Sequence, residues 1–183
     1  MNLLKQIIFA VLSFTSITGI YSEPIINMNH INEINSMNST WSAGVNEFLT
    51  DMSIEDAQGL CGTSLEEESV VSFHPTEFVS DDSIPDKFDA RVRWPDHVSP
   101  IRNQERCGSC WAFSAAEVLT DRFAIASDGR EQIVLSPEDL VSCDKTNMGC
   151  GGGQLATAWE YMKENGIVTE TCYPYNSGNG TTT

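Results

Sequence analysis

The sequence predicts a mainly helical body with few strands, preceded by an acidic segment that is poorly able to fold alone. Apolar residues recur at helical spacing in the second half of the chain. The charge changes near Ser83. Residues 23–83 contain 12 acidic side chains and no lysine or arginine, whereas residues 84–183 contain 14 acidic and nine basic ones. The chain is therefore expected to divide into residues 1–22, 23–83 and 84–183.

The first 22 residues have the pattern of a signal peptide. Lys5 precedes an apolar run from Ile7 to about Ile20, which is shorter than the roughly 20 residues that cross a bilayer comfortably. An N-terminal anchor or a buried helix is the alternative. We expect cleavage between Gly19 and Ser22, a chain in the secretory pathway, where disulfides persist, and no membrane contact after cleavage.

The net charge and two short motifs bear on partners and on glycosylation. The formal net charge of −16 argues against a nucleic-acid partner, because such proteins cluster lysine and arginine against phosphates. Sequons at Asn38 and Asn179 are candidate N-glycosylation sites.

The acidic segment has two interpretations, a solvated linker or a prosegment that lies on the second body and is later removed. Helical stretches are expected around Trp41 to Leu49 and around Ser53 to Gly59. Ser53 is a suitable cap for the second stretch, with Asp56 three residues later.

Three helices are expected in the body. The first has apolar or small residues at Trp111, Ala115, Val118, Leu119 and Ala126, in register with Arg122. The expected helices are residues 109–126 with Gly129 as a stop, the stretch LSPEDLVSC with Ser136 as its cap, and residues 154–164 with Gly166 as a stop. The start of the body, residues 84–100, is expected to be extended, and residues 133–135 and 167–168 are the strand candidates.

The stretch CGSC places Cys107 and Cys110 close together, and three interpretations are open. The pair could be a redox pair, although no strand precedes it. It could also be half of a four-sulfur zinc site with Cys143 and Cys150, although the six-residue second gap is wide.

In the third interpretation the two sulfurs differ. Cys110 lies in the first turn of the helix that Trp111 leads, where the helix dipole stabilises a thiolate. Cys107 lies outside the helix and could form a disulfide with Cys150, closing a loop of 43 residues.

Several motifs in order resemble those of papain-like cysteine peptidases, in particular the cathepsin B branch. The motif C-G-[SA]-C-[WY] is typical of the family's active site. The stretches that carry the resemblance are QERCGSCWAFS, GCGGG, YPY, STWSAGVNEF, LCGT, IPDKFDARVRWPD and SAAEVLTDR.

The resemblance implies an α+β, two-lobed fold, of which residues 23–183 supply the prosegment and the mostly helical left lobe but not the β-rich right lobe. It implies that Cys110 is the nucleophile, Gln104 the oxyanion donor and Trp111 a residue packed beneath the site. Gly152 and Gly153 are implied to let the substrate backbone approach closely.

No cofactor and no metal is implied. The expected partners are peptide or protein substrates and the chain's own prosegment, and the expected location is a lysosome, an equivalent acidic vacuole or the extracellular space.

The catalytic histidine and asparagine of the family are expected about 130–150 residues after the cysteine, which lies past Thr183. His30, His74 and His97 match no histidine motif of the family and are expected to be surface residues. The resemblance therefore implies the precursor of a cysteine endopeptidase, with little turnover expected from these residues alone. The alternative function is a non-catalytic form that binds or inhibits an intact relative through its prosegment. Cys61, Cys143 and Cys172 have no partner assigned from the sequence.

Overall fold

The computed structural model describes residues 23–64 and 85–182, so the expected signal peptide and His74 lie outside the described residues. Six α-helices are present in the described ranges: α1 Met28–Ser36, α2 Ile54–Gln58, α3 Ala90–Arg93, α4 Cys110–Ala126, α5 Pro137–Cys143 and α6 Leu155–Asn165. Short 3-10 helices lie at Glu47–Leu49, Gly149–Gly151 and Ser177–Asn179.

Helix α4 is the centre of the body and packs against both α5 and α6. Its bounds confirm the helix expected from the sequence. The expected face was partly wrong, because Val118 is 44% exposed and Arg122 and Ala126 are exposed as well. The buried positions are instead Trp111, Ala112, Phe113, Ala115, Ala116, Thr120 and Ala124. Small residues allow neighbouring elements to approach on more than one side, so this helix does not have a single apolar stripe.

Helix α5 begins where its sequence predicts. The hydroxyl of Ser136 accepts a hydrogen bond from the backbone N–H of Asp139 at 3.1 Å, and Pro137 occupies the first turn. Helix α6 ends at Gly166, whose φ of 80° lies in the left-handed region that glycine adopts without strain. Both of these expected helix boundaries are confirmed.

The two strand candidates pair with each other over a very short distance. An antiparallel bridge joins Leu135 to Thr169, and the N–H of Ser136 donates to the carbonyl of Val168 at 3.0 Å. The described residues contain isolated bridges but no longer strand. The chain before α5 and the chain after α6 are therefore joined by backbone hydrogen bonds.

The acidic segment is more ordered in its described part, residues 23–64, than its composition indicates. Helix α1 was not expected, and the helix expected over residues 41–49 is reduced to Glu47–Leu49. Helix α2 was expected and has a complete capping box between Ser53 and Asp56. The N–H of Ile25 donates to the carbonyl of Met52 at 3.0 Å, so the start of this segment lies beside the residues that lead into α2.

The start of the body differs from the expected extended chain, because Ala90–Arg93 forms one helical turn. The Asp89 carboxylate accepts from the Arg91 N–H at 2.9 Å and from the Arg91 guanidinium at 2.8 and 3.0 Å. These hydrogen bonds lower the pKa of Asp89 to about 2. The cap and the ion pair favour a turn that the apolar pattern does not predict.

The core lies between α4, α5 and α6. Its fully buried side chains include Trp111, Ala112, Ala116, Leu140 and Ala158. None of the helices in the described residues has the length and apolar content needed to cross a bilayer.

A buried carboxylate joins α5 to the turn at Ser177–Asn179. Glu138 is fully buried and accepts from the hydroxyls of Ser142 and Ser177, both at 2.8 Å. It also accepts from the backbone N–H groups of Asn176 and Ser177 at 3.0 and 3.1 Å. The four donors satisfy a charge that would otherwise be costly to bury.

Replacing this carboxylate is expected to destabilise the body. Glu138→Ala should lower the free energy of unfolding by about 3 kcal/mol or more, because several buried donors lose their acceptor. Urea unfolding at pH 7 without reductant measures the change, with exposed Glu131→Ala as the control, for which we expect less than about 0.5 kcal/mol. Equal effects of the two variants would contradict the role of Glu138.

Candidate active site

Cys110 is the first residue of α4, and its side chain is partly exposed. The preceding residue, Ser109, is the N-cap of the helix but makes no capping hydrogen bond through its side chain. The first N–H groups of a helix have no partner within the helix and carry its positive end. The Cys110 sulfur therefore lies at the positive end of α4, beside helix N–H groups that can donate to an oxygen with negative charge.

A disulfide joins the loop before Cys110 to the turn that contains Cys150. Cys107 and Cys150 are bonded, with their Cα atoms 4.7 Å apart. The N–H of Gly108 donates to the carbonyl of Cys150 at 3.1 Å, and the Trp111 indole donates to the carbonyl of Gly149, also at 3.1 Å. The Gly149–Gly151 turn is thus fixed against the start of α4.

The disulfide also decides between the three interpretations of the CGSC stretch. Because Cys107 is bonded to Cys150, it is neither the redox partner of Cys110 nor a thiolate ligand for zinc, and those two interpretations are wrong. No group of three or more histidine, cysteine, aspartate or glutamate side chains in the described residues is arranged to hold a metal ion.

Residues 60–64, here called the blocking segment, lie over Cys110. The Thr63 hydroxyl is 3.2 Å from the Cys110 sulfur, a hydrogen bond in which either atom can donate. The N–H of Gly153 donates to the carbonyl of Gly62 at 2.7 Å, and the N–H of Ser64 donates to the carbonyl of Gly153 at 2.9 Å. The segment thus pairs with Gly153 through its backbone at residues 62–64, and the Thr63 side chain contacts the sulfur.

Gln104 contacts the same segment. Its side-chain amide donates to the carbonyls of Leu60 and Cys107, both at 2.9 Å. The bond to Cys107 anchors the amide to the loop before α4, and the bond to Leu60 involves the blocking segment. Gln104 and Cys110, both expected from the sequence as site residues, therefore contact the same five-residue stretch.

Glycines make this close approach possible. A Cβ on Gly62 would lie 1.7 Å from the carbonyl oxygen of Gly108, and one on Gly152 would lie 2.7 Å from the carbonyl oxygen of Gly62. Gly152 also has a φ of 116°, a backbone conformation that residues other than glycine rarely adopt. Backbone meets backbone on both sides of the blocking segment, so a side chain on Gly62 or Gly152 would move it away.

Asn147 supports the chain behind Gly153, and it is not among the site residues expected from the sequence. Its amide oxygen accepts from the N–H of Gln154 at 2.8 Å, and its amide nitrogen donates to the buried Asp144 carboxylate at 2.6 Å. A Cβ on Gly153 would meet this amide oxygen at 2.7 Å and the Trp111 ring at 2.6 Å. No sequence signal identified Asn147, because its role depends on contacts with distant residues.

The described histidines do not contact the sulfur. The Nδ1 atom of His97 lies 2.7 Å from the carbonyl of Pro95, and His30 is exposed beside Glu33. His97 is only partly exposed, which differs from the expected surface position.

Cys61, Cys143 and Cys172 are free and exposed. Partial desolvation of the sulfur by its neighbours and the nearby Asp139 carboxylate raise the pKa of the Cys143 thiol, although the residue as a whole is exposed.

The two sequons lie on exposed residues. Asn38 has a left-handed φ of 51°. The side-chain oxygen of Asn179 accepts from the N–H of Thr181 at 2.9 Å and from its hydroxyl at 2.6 Å. Glycosylation of either asparagine stays a prediction.

Comparisons with known proteins identify the two parts of the chain. The family model described as papain family cysteine protease matches residues 84–183, and the model described as peptidase family C1 propeptide matches residues 28–67. The first match alone covers more than half of the chain.

Similar curated proteins are cathepsin B-like. The chain is 31% identical over 162 residues to cathepsin B-like CP2 of Giardia intestinalis, covering 88% of this chain and 54% of that protein. It is 49% identical over 98 residues to cathepsin B-like cysteine proteinase 6 of Caenorhabditis elegans, covering 52% of this chain and 26% of that protein. The chain thus spans about half the length of the first of these relatives and less of the second.

Solved structures agree with the helix-rich fold. Procathepsin B S9 from Trypanosoma congolense matches with a TM-score of 0.72 at 30% identity, covering 84% of this chain and 54% of that one. Digestive procathepsin L2 from Tenebrio molitor larval midgut matches with a TM-score of 0.69 at 30% identity, covering 81% and 49%. The expected fold class, a papain-like α+β fold represented by its prosegment and helical lobe, is confirmed.

A methyl group on Gly62 is expected to displace the blocking segment. Gly62→Ala places a carbon against the Gly108 carbonyl, and the overlap should speed alkylation of Cys110 by iodoacetamide about tenfold or more. Peptide mapping by mass spectrometry distinguishes Cys110 from the exposed thiols. Gly44→Ala is the matched control, since nothing lies within 4 Å of the added carbon. A Cys110 rate unchanged in Gly62→Ala would show that the segment does not cover the sulfur in solution.

Proposed function

Because the chain belongs to the papain family of cysteine proteases, we propose that it is part of the zymogen of a cysteine endopeptidase in which Cys110 is the nucleophile. The Cys110 thiolate attacks the carbonyl carbon of a peptide bond, forming a sulfur–carbon bond while the carbonyl electrons move to oxygen. The amine then leaves with a proton, and water hydrolyses the resulting thioester to release the acid and the thiol.

One observation carries this proposal: the blocking segment lies over the Cys110 sulfur and pairs with the chain beside it through backbone hydrogen bonds. Its backbone pairs with Gly153, and Thr63 contacts the sulfur at 3.2 Å. A substrate peptide that replaces it has the same N–H and carbonyl of Gly153 available for pairing. The closely packed glycines then leave room for the substrate backbone next to the nucleophile.

Gln104 is proposed as the oxyanion donor together with the N–H of Cys110. A glutamine amide has two N–H groups. One donates to the carbonyl of Cys107 and holds the side chain in place, while the other donates to the carbonyl of Leu60 in the blocking segment. Removal of that segment frees the second N–H for a substrate oxygen, with no need to rotate the side chain.

Trp111 supports the site without reacting. Its ring is fully buried against Gly153, and its indole N–H is bonded to the carbonyl of Gly149. These contacts hold the substrate-pairing edge at Gly152–Gly153 close to the nucleophile.

The acidic segment is proposed to be an intramolecular inhibitor, with the signal peptide over residues 1–22, the prosegment over 23–83 and the peptidase part from 84 to 183. The propeptide match over residues 28–67 and the protease match from residue 84 support these boundaries. The leader pattern and the disulfide support passage through the secretory pathway, to an acidic vacuole, a lysosome or the exterior.

Turnover by these 183 residues alone is proposed to be low or absent. None of the described histidines contacts Cys110, and a cysteine peptidase uses a histidine to protonate the leaving amine. The nucleophile and the oxyanion donor still permit a single acyl transfer from an activated ester, whose leaving group does not need a general acid.

Acylation by a peptide p-nitrophenyl ester tests the nucleophile. We expect the chain with Gly62→Ala, which displaces the blocking segment, to release about one equivalent of nitrophenol rapidly, with the acyl group on Cys110 by peptide mapping and slow release afterwards. Cys110→Ser should abolish the rapid phase, and Cys172→Ser, at an exposed thiol, should leave it unchanged. Acylation spread equally over Cys110 and Cys172 would argue against a specialised nucleophile.

A second candidate function is inhibition of an intact cathepsin B-like peptidase by the blocking segment. The contacts of residues 60–64 with backbone atoms at Gly153 support it, because backbone pairing depends little on side-chain identity.

Titration of Cys110→Ala chain against an active relative tests this function. We expect competitive inhibition at about micromolar concentration, with the same chain carrying Gly62→Glu as the inactive control. No inhibition by the Cys110→Ala chain over that range would exclude this second function.

A further inference from the structure

The hydroxyl of Tyr175 connects the two chain segments that carry Gln104 and Cys110. It donates to the backbone carbonyl of Gln104 at 2.8 Å. The Ser109 hydroxyl lies 3.0 Å from the same Tyr175 oxygen. Because the tyrosine proton points to Gln104, Ser109 is the donor in the second bond. One side chain thus bridges the glutamine and the residue directly before the nucleophile.

This bridge accounts for the uncapped start of α4. Serine is a common N-cap because its side-chain oxygen accepts from a helix N–H. Ser109 is fully buried at the N-cap position but makes no such bond. Its hydroxyl instead contacts Tyr175, so it leaves the first N–H groups of the helix to other partners. An oxygen that gains negative charge beside Cys110 is such a partner.

The tyrosine is itself held in place. Its ring packs edge-on against Phe113, with centroids 4.7 Å apart. Its backbone N–H donates to the Glu170 carboxylate at 2.9 Å, and Glu170 forms an ion pair with Arg102 at 2.8 Å. The segment from Glu170 to Tyr175 is therefore bonded to the loop before α4 at both Arg102 and Gln104.

Burial raises the pKa of Tyr175 above its usual value. The phenol therefore keeps its proton, and the bond to the Gln104 carbonyl persists through the neutral range.

We propose that Tyr175 is a positioning residue for the oxyanion hole, which sets the Gln104 amide and the start of α4 at the spacing that one substrate oxygen requires. The proposal rests on the proposed function, in which Gln104 and the Cys110 N–H hold that oxygen. Tyr175 touches neither the substrate nor the reacting sulfur. It acts through the Gln104 backbone and the Ser109 side chain.

A capped dipeptide aldehyde and the matching dipeptide alcohol test this role on the full chain. The Cys110 thiol adds to the aldehyde, so that a sulfur–carbon bond forms and the thiol proton passes to the former carbonyl oxygen. The alcohol binds without this step. The dissociation constant of the alcohol divided by that of the aldehyde measures how strongly the site stabilises the former carbonyl oxygen of the adduct. Both ligands must displace the blocking segment, so the free-energy cost of displacing it cancels in this ratio.

We expect Tyr175→Phe to lower the ratio about three- to tenfold, as loss of one positioning hydrogen bond, while affinity for the alcohol is unchanged. Gln104→Ala should lower it at least about tenfold, and in the double variant Tyr175→Phe should add less than its full effect, because only its contact through Ser109 remains. Tyr173→Phe is the matched control in the same YPY stretch, because its hydroxyl has no hydrogen bond to Gln104 or Ser109 in the described structure. Ser109→Ala provides an independent variant in case Tyr175→Phe folds poorly, and it should lower the ratio as well.

The outcomes separate the two proposals. If Gln104→Ala lowers the ratio but Tyr175→Phe and Ser109→Ala behave like Tyr173→Phe, the positioning role is wrong and the oxyanion role of Gln104 stands. If Tyr175→Phe adds its full effect to that of Gln104→Ala, the tyrosine acts by another route and the proposal is also wrong. If Gln104→Ala leaves the ratio unchanged, the proposed oxyanion hole itself fails and the positioning role with it.

Discussion

The contact between the start of α4 and the Gly149–Gly153 turn is the constraint on which the site depends. The Cys107–Cys150 disulfide closes a 43-residue loop around it, and the buried Trp111 ring packs directly behind Gly153. A covalent bond and an indole hydrogen bond fix the turn on one side of Cys110. Only with this turn in place can an extended chain pair with Gly153 and still reach the sulfur.

Backbone atoms, rather than charged side chains, hold the blocking segment. Gly62 and Ser64 pair with Gly153, and Leu60 accepts from Gln104. In the described residues, the ion pairs join residues within the acidic segment or within the body, and none joins the two. In the described part of the acidic segment, residues 23–64, no carboxylate therefore holds residues 60–64 over Cys110 by an ion pair with the body. Contacts made mainly through the backbone of the segment suit the proposed inhibitor, because a substrate peptide presents the same backbone atoms.

A second layer of polar contacts supports the residues at the sulfur. Asp144 holds Asn147 behind Gly153, and Glu170 holds the backbone of Tyr175, whose hydroxyl reaches Gln104. Glu138 holds the turn that follows Tyr175 through its contacts with Asn176 and Ser177. These carboxylates are buried or partly buried. Asp144 and Glu138 each accept several hydrogen bonds, and Glu170 combines one hydrogen bond with an ion pair, which makes the geometry of the loops specific.

The sequence by itself determined the local features: the bounds of α4, the caps of α2 and α5, and the placement of the second cysteine of the CGSC motif at a helix start. These depend on residues three or four apart, for which spacing and side-chain type are sufficient. Only the tertiary structure decided which sulfur pairs with Cys107, which faces of α4 are buried, and that Thr63, Asn147 and Tyr175 lie at the site. Those depend on residues as many as 71 positions apart, and the sequence pattern carries no distance information across such a separation.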